Sequence, residues 1–164
     1  AISDESAELL ETGGGLMKAA TYFRGEKDFV VMNADVLTNL HLPSMIAAHQ
    51  QNNALATLAV MNRASSRQLL FDEEMTLCGW QNNATGAQKM PRNAAHTTPF
   101  AFSGIQVVSA TLLADVPFSG KFSMIDVYLY HASKNIIKGY NHTGDVFIDV
   151  GKPESIEMAS MYFR

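Results

Sequence analysis

The sequence predicts an α/β fold: one domain over residues 1–164, with a mostly parallel, mixed sheet flanked by helices. Three observations predict it. Apolar runs of strand length, such as Phe29-Val30-Val31-Met32, alternate with segments of helical spacing. A chain of 164 residues that is 47% hydrophobic is enough for one core and short for two ordinary domains. Two strand-like runs end in an aspartate, Asp35 and Asp149, each with a helix-like segment following within a few residues. In open α/β sheets that end of the strand is where ligands sit.

Taken in order, residues 1–3 read as a strand and residues 4–6 as a loop. Gly13-Gly14-Gly15 precede a run of good helix formers from Leu16. They read as a glycine-rich loop entering a helix, where a backbone could approach a ligand closely and helix N–H groups stand free. A tight turn with no ligand fits equally well. In residues 29–36 an apolar run leads into Asn33-Ala34-Asp35, and the run fits a strand buried on both faces. Pro43 suits a first helical turn, so residues 43–51 read as a helix. Residues 54–62 read as a further strand, and 68–72 and 75–80 as a hairpin around Glu73-Glu74. Residues 81–98 are polar and long for a connection, the kind that forms a mobile functional loop. Residues 100–108 read as a strand and 123–133 as an amphipathic helix. Residues 136–142 and 145–150 are two more strands, and Pro153 opens a last helix.

Composition narrows the function. The formal charge of −4 disfavours a nucleic-acid or membrane-surface binder, which would carry a basic face. No apolar run approaches the roughly 18 residues of a membrane span. Cys78 is the single cysteine, so neither a disulfide framework nor a multi-cysteine zinc site can form within one chain. With no leader pattern at the start, a reducing cytoplasm is the expected location. His41, His49, His96, His131 and His142 lack metal-ligand spacing, and Ser103-Gly104 lacks the Gly-X-Ser-X-Gly elbow of hydrolases.

The aspartates remain. A carboxylate at the sheet edge can hold Mg²⁺ against phosphate oxygens, since Mg²⁺ usually takes one or two carboxylates plus substrate phosphates. Two such residues far apart in sequence could converge on one ion. The competing reading is that each caps the turn after its strand.

Four stretches together resemble the sugar-1-phosphate nucleotidyltransferase family: residues 11–16 (Glu-Thr-Gly-Gly-Gly-Leu), 31–36 (Val-Met-Asn-Ala-Asp-Val), 102–105 (Phe-Ser-Gly-Ile) and 147–154 (Phe-Ile-Asp-Val-Gly-Lys-Pro-Glu). Their order and spacing are similar to the subgroup of N-acetylmuramate-1-phosphate uridylyltransferase and mannose-1-phosphate guanylyltransferase-like enzymes. The resemblance implies a Rossmann-like nucleotidyltransferase fold and the reaction of an NTP with a sugar-1-phosphate to give an NDP-sugar and pyrophosphate. It implies that Asp35 and Asp149 hold Mg²⁺, that Gly13, Gly14 and Gly15 lie against the nucleobase, and that Gly104 and Asn33 line the sugar pocket.

The chain departs from the family pattern at Ala34, where Gly is usual, at Phe147, often Trp, and at Lys152, often Thr. It also lacks the family's opening Gly-X-Gly-Thr-Arg loop and catalytic lysine. The resemblance therefore implies a fold incomplete at the N-terminus, with little or no turnover by this chain alone. Exposed apolar faces of such a fold would favour a homo-oligomer. The alternative function is a non-catalytic nucleotide or sugar-phosphate binding module of the same fold.

Overall fold

The computed structural model describes residues 1–6, 8–151 and 153–162. Residues 1–6 and 8–10 carry no helix or strand, so the strand expected at 1–3 is absent, and Ile2 lies 88% exposed. Helix α1 (Glu11–Lys18) and a 3₁₀ turn (Ala20–Phe23) lead into β1 (Asp28–Met32) and β2 (Val36–Thr38). Helix α2 (Leu42–Asn52) carries Pro43 in its first turn and ends at Asn53 in the left-handed conformation, a position Asn tolerates. Strands β3 (Ala56–Met61), β4 (Arg67–Phe71), β5 (Leu77–Asn82), β6 (Gln88–Lys89) and β7 (Thr98–Ser109) follow. Helix α3 (Met124–Ala132), β8 (Ile137–Asn141), β9 (Phe147–Asp149) and α4 (Pro153–Tyr162) complete the order.

The main sheet has the order β6-β5-β4-β7-β3-β8, with β1 also on β7, and β2-β9 form a separate ribbon. The α/β class and the mixed sheet are as expected, but the sheet's balance is different. β3–β8 is parallel, whereas β1–β7, β3–β7, β4–β7, β4–β5 and β5–β6 are antiparallel. The reason is β7. This 12-residue strand lies between β1 and β3 and runs against both. β1, β3 and β8 consequently point the same way, and their carboxyl ends share one rim.

β3 is the strand buried on both faces. Its alternation divides the core: Ala56, Leu58 and Val60 join Phe71, Leu77, Val127 and Tyr128 on the α3 side, while Ala59 joins Met45, Ile105 and Val107 under α2. β1 was expected to be buried in this way and is not. It has a strand on one side, β7, and Val30 and Met32 are 36% and 47% exposed.

The long polar connection is also more structured than expected. It contains the β5–β6 hairpin, and Arg92 ties it down by donating from Nε to the Ala132 carbonyl and from Nη2 to the Asn135 carbonyl, both at 2.8 Å. No helix among the described residues is long and apolar enough to cross a membrane.

Candidate functional site

The shared rim of β1, β3 and β8 converges on the middle of β7. Gly104 has φ +72°, a left-handed conformation suited to glycine, and the β3–β7 register shifts beside it between Leu58 and Val60. This break turns β7 from pairing with β4 to pairing with β1. The Asn33 N–H, just beyond the end of β1, donates to the Gly104 carbonyl at 2.9 Å. A Cβ on Gly104 would stand 2.8 Å from Asn33 Nδ2, so the two residues expected to share a pocket wall are in direct apposition.

Asp35 and Asp149 are brought together by the small ribbon. Val36 pairs with Asp149 across β2–β9, and the Val150 N–H donates to the Asp35 carbonyl at 2.8 Å. The Thr38 hydroxyl donates to the Val146 carbonyl at 2.7 Å and fixes the other end. Gly151 then folds back, its N–H donating to Asp149 Oδ1 at 3.0 Å. A Cβ on Gly151 would lie 3.1 Å from Asp149 Oδ1 and 3.3 Å from Asp35 Oδ2. Both carboxylates, each on an exposed residue, thus reach towards one point that glycine leaves open. Among the described residues no group of three or more His, Cys, Asp or Glu is placed to hold a metal ion, so the carboxylates form a pair and not a closed cage.

The α1 glycines are placed elsewhere. They lie inside the helix and not in a loop before it, which corrects the loop reading. Gly13 and Gly14 donate N–H groups to the Phe122 carbonyl at 2.9 and 3.3 Å. A Cβ on Gly13 would strike the Phe122 ring, and one on Gly14 the Gly120 carbonyl. Gly15 faces the Glu5 carboxylate. Missing side chains here allow a backbone to press against residues 120–122, so tertiary contact overrides the poor helix propensity of glycine.

Two rim residues, Arg63 and His142, were given no site role from the sequence. Arg63, two residues beyond β3, donates from Nη2 to the Phe102 carbonyl at 2.9 Å and lies 4.6 Å above the Phe147 ring. Burial pushes its pKa down, and Asp149 opposes that shift. His142, just past β8, is buried, with Nε2 2.8 Å from Ser103 Oγ and Nδ1 3.4 Å from Asp145 Oδ2. Burial pushes the His142 pKa below its usual value and Asp145 pulls the other way. Ser103, His142 and Asp145 thereby line up in the order of a hydrolase triad. Ser103 is only 1% exposed, which denies a substrate carbonyl access and leaves these three residues a structural role. The signal that could have found Arg63 and His142 is the one that found Asp35: a polar side chain directly beyond a buried strand at its carboxyl end.

Along β7 from Gly104, a cleft of about 200 Å³ opens between the hairpin and α3, lined by Arg67, Gln68, Trp80, Phe102 and Ile125. Trp80 is a wall of this cleft, with Lys89 Nζ 5.9 Å from its ring centre.

No family model and no curated protein matches the sequence. Comparison of folds does find similar structures. HddC from Yersinia pseudotuberculosis, also solved in complex with GMP-PN, has 23% identity and a TM-score of 0.69, with 96% of this chain covering 64% of that one. UDP-glucose pyrophosphorylase from Acinetobacter baumanii has 18% identity and a TM-score of 0.72, with coverages of 95% and 57%. The inositol-1-phosphate CTP transferase of T. maritima has 14% identity and a TM-score of 0.65, with coverages of 89% and 58%. The chain therefore spans less than two-thirds of the length of these structures and has the nucleotidyltransferase fold.

Proposed function

We propose that this chain forms the acceptor and metal-holding part of a Mg²⁺-dependent sugar-1-phosphate nucleotidyltransferase. The observation that carries the reading is the approach of Asp35 and Asp149 to one point above Gly151, at the carboxyl rim of the sheet. Two carboxylates with open positions beside them match the way Mg²⁺ binds, since it retains room for phosphate oxygens. Names among the fold relatives, such as UDP-glucose pyrophosphorylase and inositol-1-phosphate CTP transferase, support nucleotidyl transfer to a phosphorylated acceptor.

In this reading Asp35 and Asp149 hold the ion. Bound there, Mg²⁺ would neutralise phosphate charge and restrict phosphate orientation. Asn33 and Gly104 form the wall against which the sugar lies, with the Trp80 cleft extending beyond it. A sugar-phosphate oxygen attacks the α-phosphorus of the NTP, and the bond from that phosphorus to the pyrophosphate oxygen breaks. No covalent enzyme intermediate is required, so the protein's contribution is positioning and charge stabilisation. Gly13 and Gly14 are buried against Phe122 and Gly120 and Gly15 faces Glu5, so in this reading the nucleobase does not lie against α1.

The test is Mn²⁺ binding, followed by electron paramagnetic resonance, in the 164-residue chain and in Asp35→Asn and Asp149→Asn. Each variant is expected to keep the fold by circular dichroism and to weaken Mn²⁺ binding roughly a hundredfold, ~2.7 kcal/mol. Unchanged affinity in both variants would remove the metal assignment. Pyrophosphate release from UTP or GTP with sugar-1-phosphates then separates an enzyme from a non-catalytic binding module.

A further inference from the structure

Arg63 carries a charge that the protein compensates only in part: Asp149 acts on it electrostatically, yet no ion pair among the described residues engages it. It emerges from β3, the strand buried on both faces, and is half-buried. Among the described residues no carboxylate lies within salt-bridge distance of its guanidinium, and its buried Nε has no hydrogen-bond partner. A partly desolvated cation with no direct ion-pair partner is unfavourable unless an anion completes it. The guanidinium is nevertheless held firmly. Nη2 is fixed on the Phe102 carbonyl, and the plane rests on Phe147.

These two anchors locate the group. Phe102 is two residues from Gly104 on β7, and Phe147 is two residues from Asp149 on β9, so that Phe147 and Asp149 project from the same side of their strand. Arg63 therefore sits between the proposed sugar wall and the proposed metal pair. His142, the other basic side chain close by, is turned towards Ser103 and Asp145.

We propose that Arg63 binds the phosphate of the acceptor sugar-1-phosphate and holds it beside the Asp35–Asp149 pair. This rests on the nucleotidyltransferase reading and adds the residue that recognises the acceptor's charged end. The guanidinium presents a planar set of donors, one of which Phe102 occupies, and such a set suits the geometry of phosphate oxygens. Resting on Phe147 fixes its orientation before the ligand arrives, which lowers the ordering cost of binding.

The experiment is calorimetric titration of glucose 1-phosphate, with inorganic phosphate and glucose as companion probes, into Mn²⁺-loaded wild type, Arg63→Lys and Arg63→Gln. Arg63→Gln is expected to weaken glucose 1-phosphate and inorganic phosphate about ten- to a hundredfold, with Arg63→Lys in between. Affinity for glucose is expected to match wild type in both variants, and Mn²⁺ binding is expected to be retained in both, no weaker in Arg63→Gln, where a cation acting on Asp149 has been removed. A residue that only braced β3 against β7 would lower the melting temperature of the ligand-free protein without this selective loss. Equal phosphate affinity in all three proteins, or no phosphate binding by wild type, would overturn the assignment, as would loss of Mn²⁺ together with phosphate. Failure of the functional reading looks different: Mn²⁺ binding would be absent or indifferent to Asp35→Asn, while Arg63-dependent phosphate binding persisted as an anion site without a metal.

Discussion

Two glycine-bearing regions of this molecule use the same absence of a side chain for opposite purposes. In α1, a Cβ on Gly13 or Gly14 would collide with Phe122 or the Gly120 carbonyl, so glycine lets protein approach protein. At the rim, a Cβ on Gly151 would meet Asp149 and Asp35, so glycine keeps open a space bounded by charge. What distinguishes them is the neighbour: a rigid backbone group and an aromatic ring in the first case, two exposed carboxylates in the second. Glycine count in a sequence carries none of this information.

Substitutions should separate the two uses. The largest loss of stability is expected from Gly14→Ala, because the obstructing atom is a backbone carbonyl that cannot rotate away. Overpacking of this kind costs about 1–3 kcal/mol, read as a lower denaturation midpoint, with Mn²⁺ affinity of the folded protein unchanged. Gly104→Ala falls between the regions. Its left-handed backbone would cost a non-glycine residue roughly 1–2 kcal/mol, and the new methyl would displace Asn33 as well. It should therefore lower both stability and sugar-phosphate affinity. Gly151→Ala should leave stability within about 0.5 kcal/mol yet weaken Mn²⁺ about tenfold, as the carboxylates give way around the methyl. If Gly151→Ala proved as destabilising as Gly14→Ala with normal Mn²⁺ affinity, the contrast would fail.

The same contrast explains what the sequence could and could not reveal. Asp35 and Asp149 were readable because each follows an apolar strand-like run, and a strand's carboxyl end is where sheets present ligands. Their approach to each other depends on Val36 pairing with Asp149, which only the fold creates. The α1 glycines were misread as a loop because propensity is local, whereas residues 120–122 hold that helix from a hundred positions away. β1 and β3 are both apolar runs, and nothing in either shows that one is buried on both faces and the other half-exposed. Nor does alternation of strands and helices disclose that β7 returns between β1 and β3 and runs against both. Arg63 and His142 obey the same strand-end rule, but a lone basic side chain lacks the metal-ligand chemistry that marks an aspartate there, so neither stands out in the sequence.

The smallest expected effect is also the most selective, and it uses a buried histidine in each region. His131 on α3 lies on the α1 side of the sheet, and His142 lies at the rim beside Ser103. Burial lowers both pKa values below the usual 6.5, opposed by Asp115 for His131 and by Asp145 for His142. A histidine whose folded pKa is depressed is protonated first in the unfolded chain. Stability is therefore whole above about pH 6.5 and falls as pH drops towards the folded value. Melting temperatures from about pH 7.5 to 5 should show that decline in wild type and a shallower one in His131→Gln and in His142→Gln. Ligand binding should divide them. Protonating His142 disturbs Ser103, the neighbour of Gly104, so the acid-side loss of sugar-phosphate affinity should diminish in His142→Gln and persist in His131→Gln. Identical pH profiles for the two variants would mean that the rim and the α1 side respond to acid as one unit.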